Sequence, residues 1–240
     1  MKKWIIANFK MYKTIDEAME YANQIKELVS DCKEKIAVCP SFVCLEKMAG
    51  VLEDSNVLVG AQNCADEIEG AYTGEVSAKM IKSTKAQLVI IGHSERRRYY
   101  GETDVKLAKK LKLILKEDLI PVVCLSDEGS KDLEETVREQ LDIVLEGIES
   151  TNIILAFEPV WAIGTGKTME LEDIEKTLSV VKNIAKEYLG FMPEVLYGGS
   201  VNANNAREIL ELKSVDGVLV GGASKNPYDM AKICMARSDS

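Results

Sequence analysis

His93 is the only histidine among 240 residues, and it directly follows the apolar run QLVIIG, with Ser94, Glu95 and Arg96 behind it in the stretch GHSERR. Glu158 ends a second apolar run, IILAF, and is followed at once by Pro159. A carboxylate at the tip of a strand can act as a general base, and an imidazole beside it can donate a hydrogen bond to a developing oxyanion. Taken singly, neither residue is diagnostic. A lone histidine is usually a surface or satisfied core residue, and a strand-end carboxylate can simply pair with a neighbouring arginine. Ser94 and Glu95 read as the amino terminus of a helix, where backbone N–H groups and the dipole disfavour a positive imidazole and leave a neutral hydrogen-bond donor. Lys10, just past the first apolar run WIIAN, could equally be one of many surface lysines.

Two glycine pairs point to a different task. YGGS at 197–200 and VGGAS at 220–224 each leave an apolar run, where backbone N–H groups can hold an anion such as phosphate. The plain alternative is that these glycines only make tight turns. A third glycine-rich stretch, AFEPVWAIGTGKTM at 156–169, imitates the end of a nucleotide-binding loop. The pattern G-x-x-x-x-G-K-[ST] needs a glycine five residues before Gly166, and that residue is Trp161. No G-x-G-x-x-G fingerprint follows the first run either, where the chain reads NFKMYK. What remains is an apolar segment, Pro159 to Ile163, joined to a glycine-containing one, Gly164 to Lys167. That composition suits a lid that covers a ligand and excludes water.

Such residues need a scaffold that brings distant positions together. Apolar runs fall near 4–8, 35–39, 57–61, 87–92, 120–125, 153–158, 194–198 and 216–221, and all are rich in Val, Ile and Leu. Between them lie charged segments with helical spacing near 14–30, 42–53, 76–84, 103–117, 130–148, 170–187, 202–212 and 226–235. In the first, Ala18, Tyr21, Ala22, Ile25, Leu28 and Val29 are expected on one face, and Thr14 with Glu17 makes a capping box. Strands apolar on both faces and joined by helices predict a parallel sheet covered on its faces. Eight strand–helix units in this length predict an α/β fold, a closed (β/α)8 barrel, with an open doubly wound sheet as the runner-up. No linker divides the chain, so residues 1–240 read as a single catalytic domain. In such a barrel every strand's carboxyl end faces one rim, so Asn8, Lys10, His93, Glu158 and both glycine pairs converge over one mouth.

Composition limits what could bind there. A formal net charge of −9 with no long basic run argues against nucleic acid and anionic membranes, so any anionic ligand must be held locally. Six cysteines without a C-x-x-C pair argue against zinc and a disulfide framework, and read as reduced thiols. The amino terminus lacks the pattern of a signal peptide, and no long apolar run occurs. The expectation is a cytoplasmic protein.

An ordered set of motifs then narrows the reading: NFKM, GAQN, TGE, IGHSERR, YYGETD, FEPVWAIGTGK, YGGSV and LVGGAS. With them the chain resembles, along its whole length, the triosephosphate isomerase family of (β/α)8 enzymes. That family interconverts dihydroxyacetone phosphate and D-glyceraldehyde 3-phosphate, a step of glycolysis and gluconeogenesis, and is a known instance of a glutamate base paired with a neutral histidine electrophile. The resemblance implies that Glu158 is the base, that His93 donates to the carbonyl oxygen and shuttles protons on an enediol(ate), and that Asn8 and Lys10 stabilise the oxyanion and hold substrate. It implies Glu95 as a carboxylate beside that lysine, with Ser94 as a supporting hydroxyl. Gly164, Ser200, Gly221 and Gly222 are implied as phosphate donors. Pro159, Trp161, Ile163, Gly166 and Lys167 are implied as parts of the lid. The resemblance requires no metal and no organic cofactor. It implies a homodimer in which Thr73 and Glu75 approach the neighbour's site and Arg96 lies near the interface.

Some positions depart from the family's pattern. After the fifth run the chain has Cys124, Leu125, Ser126 and Asp127 where Cys-x-Gly-Glu is common, and the family's glutamate there holds the lid tryptophan in the open state. Phe9, Tyr12 and Met169 also replace the usual tryptophan, asparagine and alanine. None of these touches the acid–base residues, so the lid equilibrium rather than the chemical step is expected to differ. Two other functions fit the pattern. One is a different sugar-phosphate isomerase or an aldolase on the same barrel, the latter needing a Schiff-base lysine. The other is a non-catalytic phosphate-binding barrel.

Overall fold

The computed structural model describes residues 1–130, 132–162 and 169–237. In its first half, strands β1 (Trp4–Asn8), β2 (Lys35–Cys39), β3 (Val57–Ala61) and β4 (Leu88–Ile91) alternate with helices α1 (Ile15–Leu28), α2 (Phe42–Leu52) and α3 (Ala78–Ser83). Two helices, α4 (Ser94–Tyr100) and α5 (Asp104–Lys116), follow β4. Strands β5 (Ile120–Asp127), β6 (Ile154–Pro159), β7 (Glu194–Tyr197) and β8 (Gly217–Val220) alternate with α6 (Leu133–Val144), α7 (Leu171–Leu189), α8 (Ala206–Glu211) and α9 (Pro227–Cys234). The strands pair in parallel in sequence order and close on themselves, because β1 pairs with β8 as well as with β2. The closed barrel is therefore the architecture, and the open sheet is excluded.

Closure separates two apolar cores, since alternate residues of a strand face opposite ways. Trp4, Ile6, Ala37, Cys39, Leu88, Ile90, Val122, Cys124, Ile154, Ala156, Leu196 and Leu219 fill the barrel. Their neighbours Ile5, Ala7, Val38, Val89, Val123, Leu155 and Val218 pack outward against the helices. This two-sided burial accounts for the apolar runs in the sequence.

Helix α1 begins as expected, with Thr14 and Glu17 satisfying each other's backbone N–H groups, and it buries Ala18, Tyr21, Ala22 and Ile25. Leu28 departs from the expected face and is 38% exposed, whereas Val29 is buried. At 3.6 residues per turn Leu28 stands about 80° round the axis from Ala18, and Val29 about 20°.

Several boundaries differ from the sequence reading for local reasons. The fifth strand runs on to Asp127, because the Gln140 side chain accepts from the Ser126 N–H at 3.0 Å and donates to its carbonyl at 3.0 Å. The helix expected over 130–148 starts only after Asp132, which caps the Glu135 N–H. Helix α4 was legible only at its amino terminus. It ends at Gly101, whose φ of 61° closes the turn without strain. Gly92 turns the chain from β4 into α4 at φ 72°, and a Cβ there would lie 2.2 Å from Leu107 Cδ2.

Candidate active site

The inward parity of the barrel strands decides which side chains reach the mouth. Ile154 and Ala156 point inward, and Glu158 continues that row; Trp4 and Ile6 lead in the same way to Asn8. Leu196 and Leu219 lead to Gly198 and Gly221. These residues line a cavity of about 340 Å³ together with Lys10, His93, Glu95 and Ser200, large enough for a small phosphorylated metabolite.

Glu158 is 1% exposed and His93 6%. Among the described residues Glu158 has no arginine partner. Its Oε2 accepts the Ser94 backbone N–H at 2.8 Å and its Oε1 accepts the Ser94 hydroxyl at 3.2 Å. His93 Nε2 lies 3.1 Å from the same Oε1. His93 is the N-cap of α4, and its Nδ1 accepts the Glu95 backbone N–H at 3.2 Å. A nitrogen that accepts carries no proton, so the hydrogen-bond pattern assigns a neutral imidazole with its proton on Nε2. The helix amino terminus thus meets the imidazole through one defined contact, the Glu95 N–H.

Lys10 sits at φ 54°, a left-handed conformation unusual for a residue with a side chain. Two contacts hold it there. Its N–H donates to Asn8 Oδ1 at 3.0 Å, and its carbonyl accepts Gln62 Nε2 at 2.9 Å. The same amide reaches the Cys39 carbonyl at 2.9 Å and ties three strand ends together. Lys10 Nζ meets Glu95 Oε1 at 2.5 Å. Gln62, part of the motif GAQN, shows no sign of this bracing role in the sequence; only the backbone geometry reveals it.

The two glycine pairs prove to serve different neighbours. A Cβ on Gly198 would lie 3.0 Å from Glu158 Cγ, and one on Gly199 would lie 2.2 Å from the Tyr197 hydroxyl. A Cβ on Gly221 would lie 3.2 Å from Lys10 Cε, whereas Gly222 has open space around it. The first pair makes room for protein side chains, and the second leaves backbone open to a ligand beside Lys10. Ser224 secures that turn, its hydroxyl sharing one proton between the carbonyls of Gly221 at 2.6 Å and Asn8 at 3.0 Å.

Of the residues expected to form a lid, Pro159 is the buried last residue of β6, paired with Asp127, and a 3-10 turn at Val160–Ala162 follows at once. Trp161 is 46% exposed. Ile163, Gly164, Gly166 and Lys167 lie outside the described residues. Asp127 Oδ1 accepts the N–H groups of Gly129 at 3.2 Å and Ser130 at 2.9 Å, which engages this carboxylate in its own loop. Met169 is partly buried, and its backbone borders the Tyr197 hydroxyl, whose pKa burial raises. Cys124 lies within the barrel core, and burial, aided by the nearby Glu158 charge, pushes its thiol well above the usual range.

Thr73 and Glu75 are exposed on the segment between β3 and α3. Arg96 lies 3.6 Å from Glu102 and stacks 4.9 Å from the Tyr100 ring. Behind it is a buried trio unnoticed in the sequence. Lys110 donates to Asn63 Oδ1 at 2.8 Å and pairs with Glu102. Its signal was a lysine at an apolar helix position, Lys110 beside Leu111. Among the described residues no three His, Cys, Asp or Glu side chains converge as metal ligands would.

The family model described as triosephosphate isomerase matches residues 3–237. A triosephosphate isomerase of Clostridium perfringens is 38% identical over 240 residues, covering 95% of this chain and 97% of its own. One of Alkaliphilus oremlandii is 41% identical over 236 residues, covering 93% and 95%. The crystal structure of the Bartonella henselae triosephosphate isomerase superposes with a TM-score of 0.90 at 31% identity, over 99% of this chain and all of that one.

Proposed function

The chain belongs to the triosephosphate isomerase family, and from that premise we propose how its residues divide the work of interconverting dihydroxyacetone phosphate and D-glyceraldehyde 3-phosphate. Glu158 takes the proton from the carbon that bears both the substrate hydroxyl and the hydrogen adjacent to the carbonyl. Electrons of that C–H bond form the carbon–carbon double bond, and the carbonyl oxygen gains the negative charge. His93 Nε2–H and the Lys10 ammonium face that oxygen, with Asn8 helping to hold the substrate. His93 then moves a proton between the two oxygens of the enediol(ate), and Glu158 returns its proton to the neighbouring carbon, so no atom is gained or lost.

The observation that carries this reading is the Glu158–His93 contact of 3.1 Å inside a cavity that also holds Lys10. A carbon beside a carbonyl is a weak acid, and a preorganised donor to the oxyanion typically lowers the barrier by about 2.7–4 kcal/mol. Glu158 must leave Ser94 to reach a substrate carbon, and Glu95 must share Lys10 with the ligand. Backbone at Ser200, Gly221 and Gly222 takes the phosphate, with Gly164 joining from the lid. No cofactor enters these steps.

Residues 1–240 act in this reading as one catalytic (β/α)8 domain, because β8 closes on β1 and leaves no separable half. The homodimer is part of the same proposal. Met11, Phe42 and Tyr100, which are 94%, 38% and 68% exposed, border a second cavity of about 250 Å³. That cavity also touches Lys10, His93 and Glu95. A second copy's Thr73 and Glu75 segment is the proposed occupant. Among the described residues no helix is long and apolar enough to cross a membrane, and we place the protein in the cytoplasm, acting in glycolysis and gluconeogenesis.

Assay of triose phosphate interconversion by wild type and Glu158→Asp tests the assignment. Shortening the side chain by one methylene should lower kcat by about 10²-fold or more, as a misplaced base does. A Glu158→Asp protein as active as wild type refutes the proposed base.

A further inference from the structure

Tyr12 and Lys225 line the main cavity but have no part in the proton transfer. Tyr12 follows Lys10 beyond β1, and Lys225 ends the 3-10 turn Gly222–Lys225 beyond β8. Both border the cavity alongside Ser200, Gly221 and Gly222. They come from opposite ends of the chain and meet because β1 and β8 are the pair that closes the barrel. The Lys225 ammonium lies 4.3 Å from the centre of the Tyr12 ring, within the range of a cation–π contact.

Lys225 carries a charge with no opposite partner: among the described residues no carboxylate lies within ion-pair distance of it. Lys10, in contrast, has Glu95 at 2.5 Å. A free lysine spreads its charge over many rotamers, and the Tyr12 ring gives this one a preferred position at the rim. Burial lowers the pKa of Lys13, and the Lys225 charge is a smaller cause in the same direction. A chain of net charge −9 repels a dianion at long range, so a cation at the mouth has a large part to play in capture.

We propose that Lys225, held by Tyr12, is a specificity-determining cation for the substrate's phosphate group, drawing the dianion to the cavity and retaining it without touching the reacting atoms. The inference rests on the reading that Ser200, Gly221 and Gly222 hold the phosphate. Lys225→Met keeps an unbranched stem and removes only the charge. It should raise KM about threefold or more, as loss of an exposed charge pair allows, with kcat within about twofold of wild type. Competitive inhibition by inorganic phosphate should weaken by the same factor, and kcat/KM should fall less steeply with ionic strength. Tyr12→Leu should shift KM toward the Lys225→Met value, and Tyr12→Phe, which keeps the ring face, should shift it less. Lys109→Met, on the exposed side of α5, makes the same change in net charge and should leave KM unaltered.

Equal KM, phosphate inhibition and salt dependence in Lys225→Met and wild type overturn the inference, as do equal shifts in Lys225→Met and Lys109→Met. A wild type that inorganic phosphate does not inhibit removes the phosphate reading and this inference together. Phosphate inhibition that is equal in wild type and Lys225→Met overturns this inference alone.

Discussion

Glu158 is held in place by its neighbours. Its two oxygens are bound to Ser94 and His93, and the space it needs to move is limited by the backbone of β7. Gly198 sets that limit, since a Cβ there would lie 3.0 Å from both Glu158 Cγ and the Phe157 carbonyl oxygen. Gly198→Ala should therefore displace the carboxylate while the barrel persists, and lower kcat by roughly tenfold to 10²-fold. Steady-state kinetics with circular dichroism as a fold control measures this, and unchanged kinetics in a folded variant would exclude the steric role. In the sequence this glycine looked like half of a phosphate motif. Its partner in space, 40 residues away, becomes visible only once β6 and β7 are paired.

At the scale of elements, the legible parts were those with a strong local cause. Two-sided apolar runs marked all eight strands, and the Thr14–Glu17 box marked the start of α1. Boundaries set by distant side chains were not legible. Gln140, which extends β5 through Ser126, lies on the following helix. The histidine and glutamate could be assigned to the mouth because strand ends in a parallel barrel share a rim, whereas Gln62 required knowledge of the Lys10 backbone. The same strand end bears on the lid. Asp127 is engaged by Gly129 and Ser130, and Trp161 borders Gly129. The double variant Ser126→Gly, Asp127→Glu supplies a longer carboxylate on a more flexible backbone. It should alter the lid-opening rate by at least about twofold with the chemical step unchanged. Relaxation of Trp161 fluorescence on ligand binding reads this, with Trp4 buried and insensitive. Lid rates equal to wild type would contradict the expectation that lid equilibrium is what distinguishes this chain.

For the whole molecule, closure of the barrel puts the chain's first and last strands together, and this joins Lys10 to the Gly221 turn. It does not fill the second cavity beside His93, whose border includes exposed Met11 and Tyr100. An exposed apolar border of this kind marks a surface for association. Thr73→Arg adds a charge at the tip proposed to enter that cavity in another copy. It should convert the proposed dimer to monomer in analytical ultracentrifugation and lower activity at least about tenfold, because an unpaired charge would be buried at the proposed interface. A dimer of undiminished affinity, or a fully active monomer, would show that the site is complete within one chain.

The central claim is that Glu158 removes a proton from substrate carbon. Exchange of substrate hydrogen with deuterated solvent reports that step separately from the proton transfers between oxygens. Wild type should place deuterium on the carbon adjacent to the carbonyl. Glu158→Gln, which keeps the size and removes the base, should lose isomerisation and exchange together by about 10²–10⁴-fold. Exchange at the wild-type rate in Glu158→Gln would contradict the account.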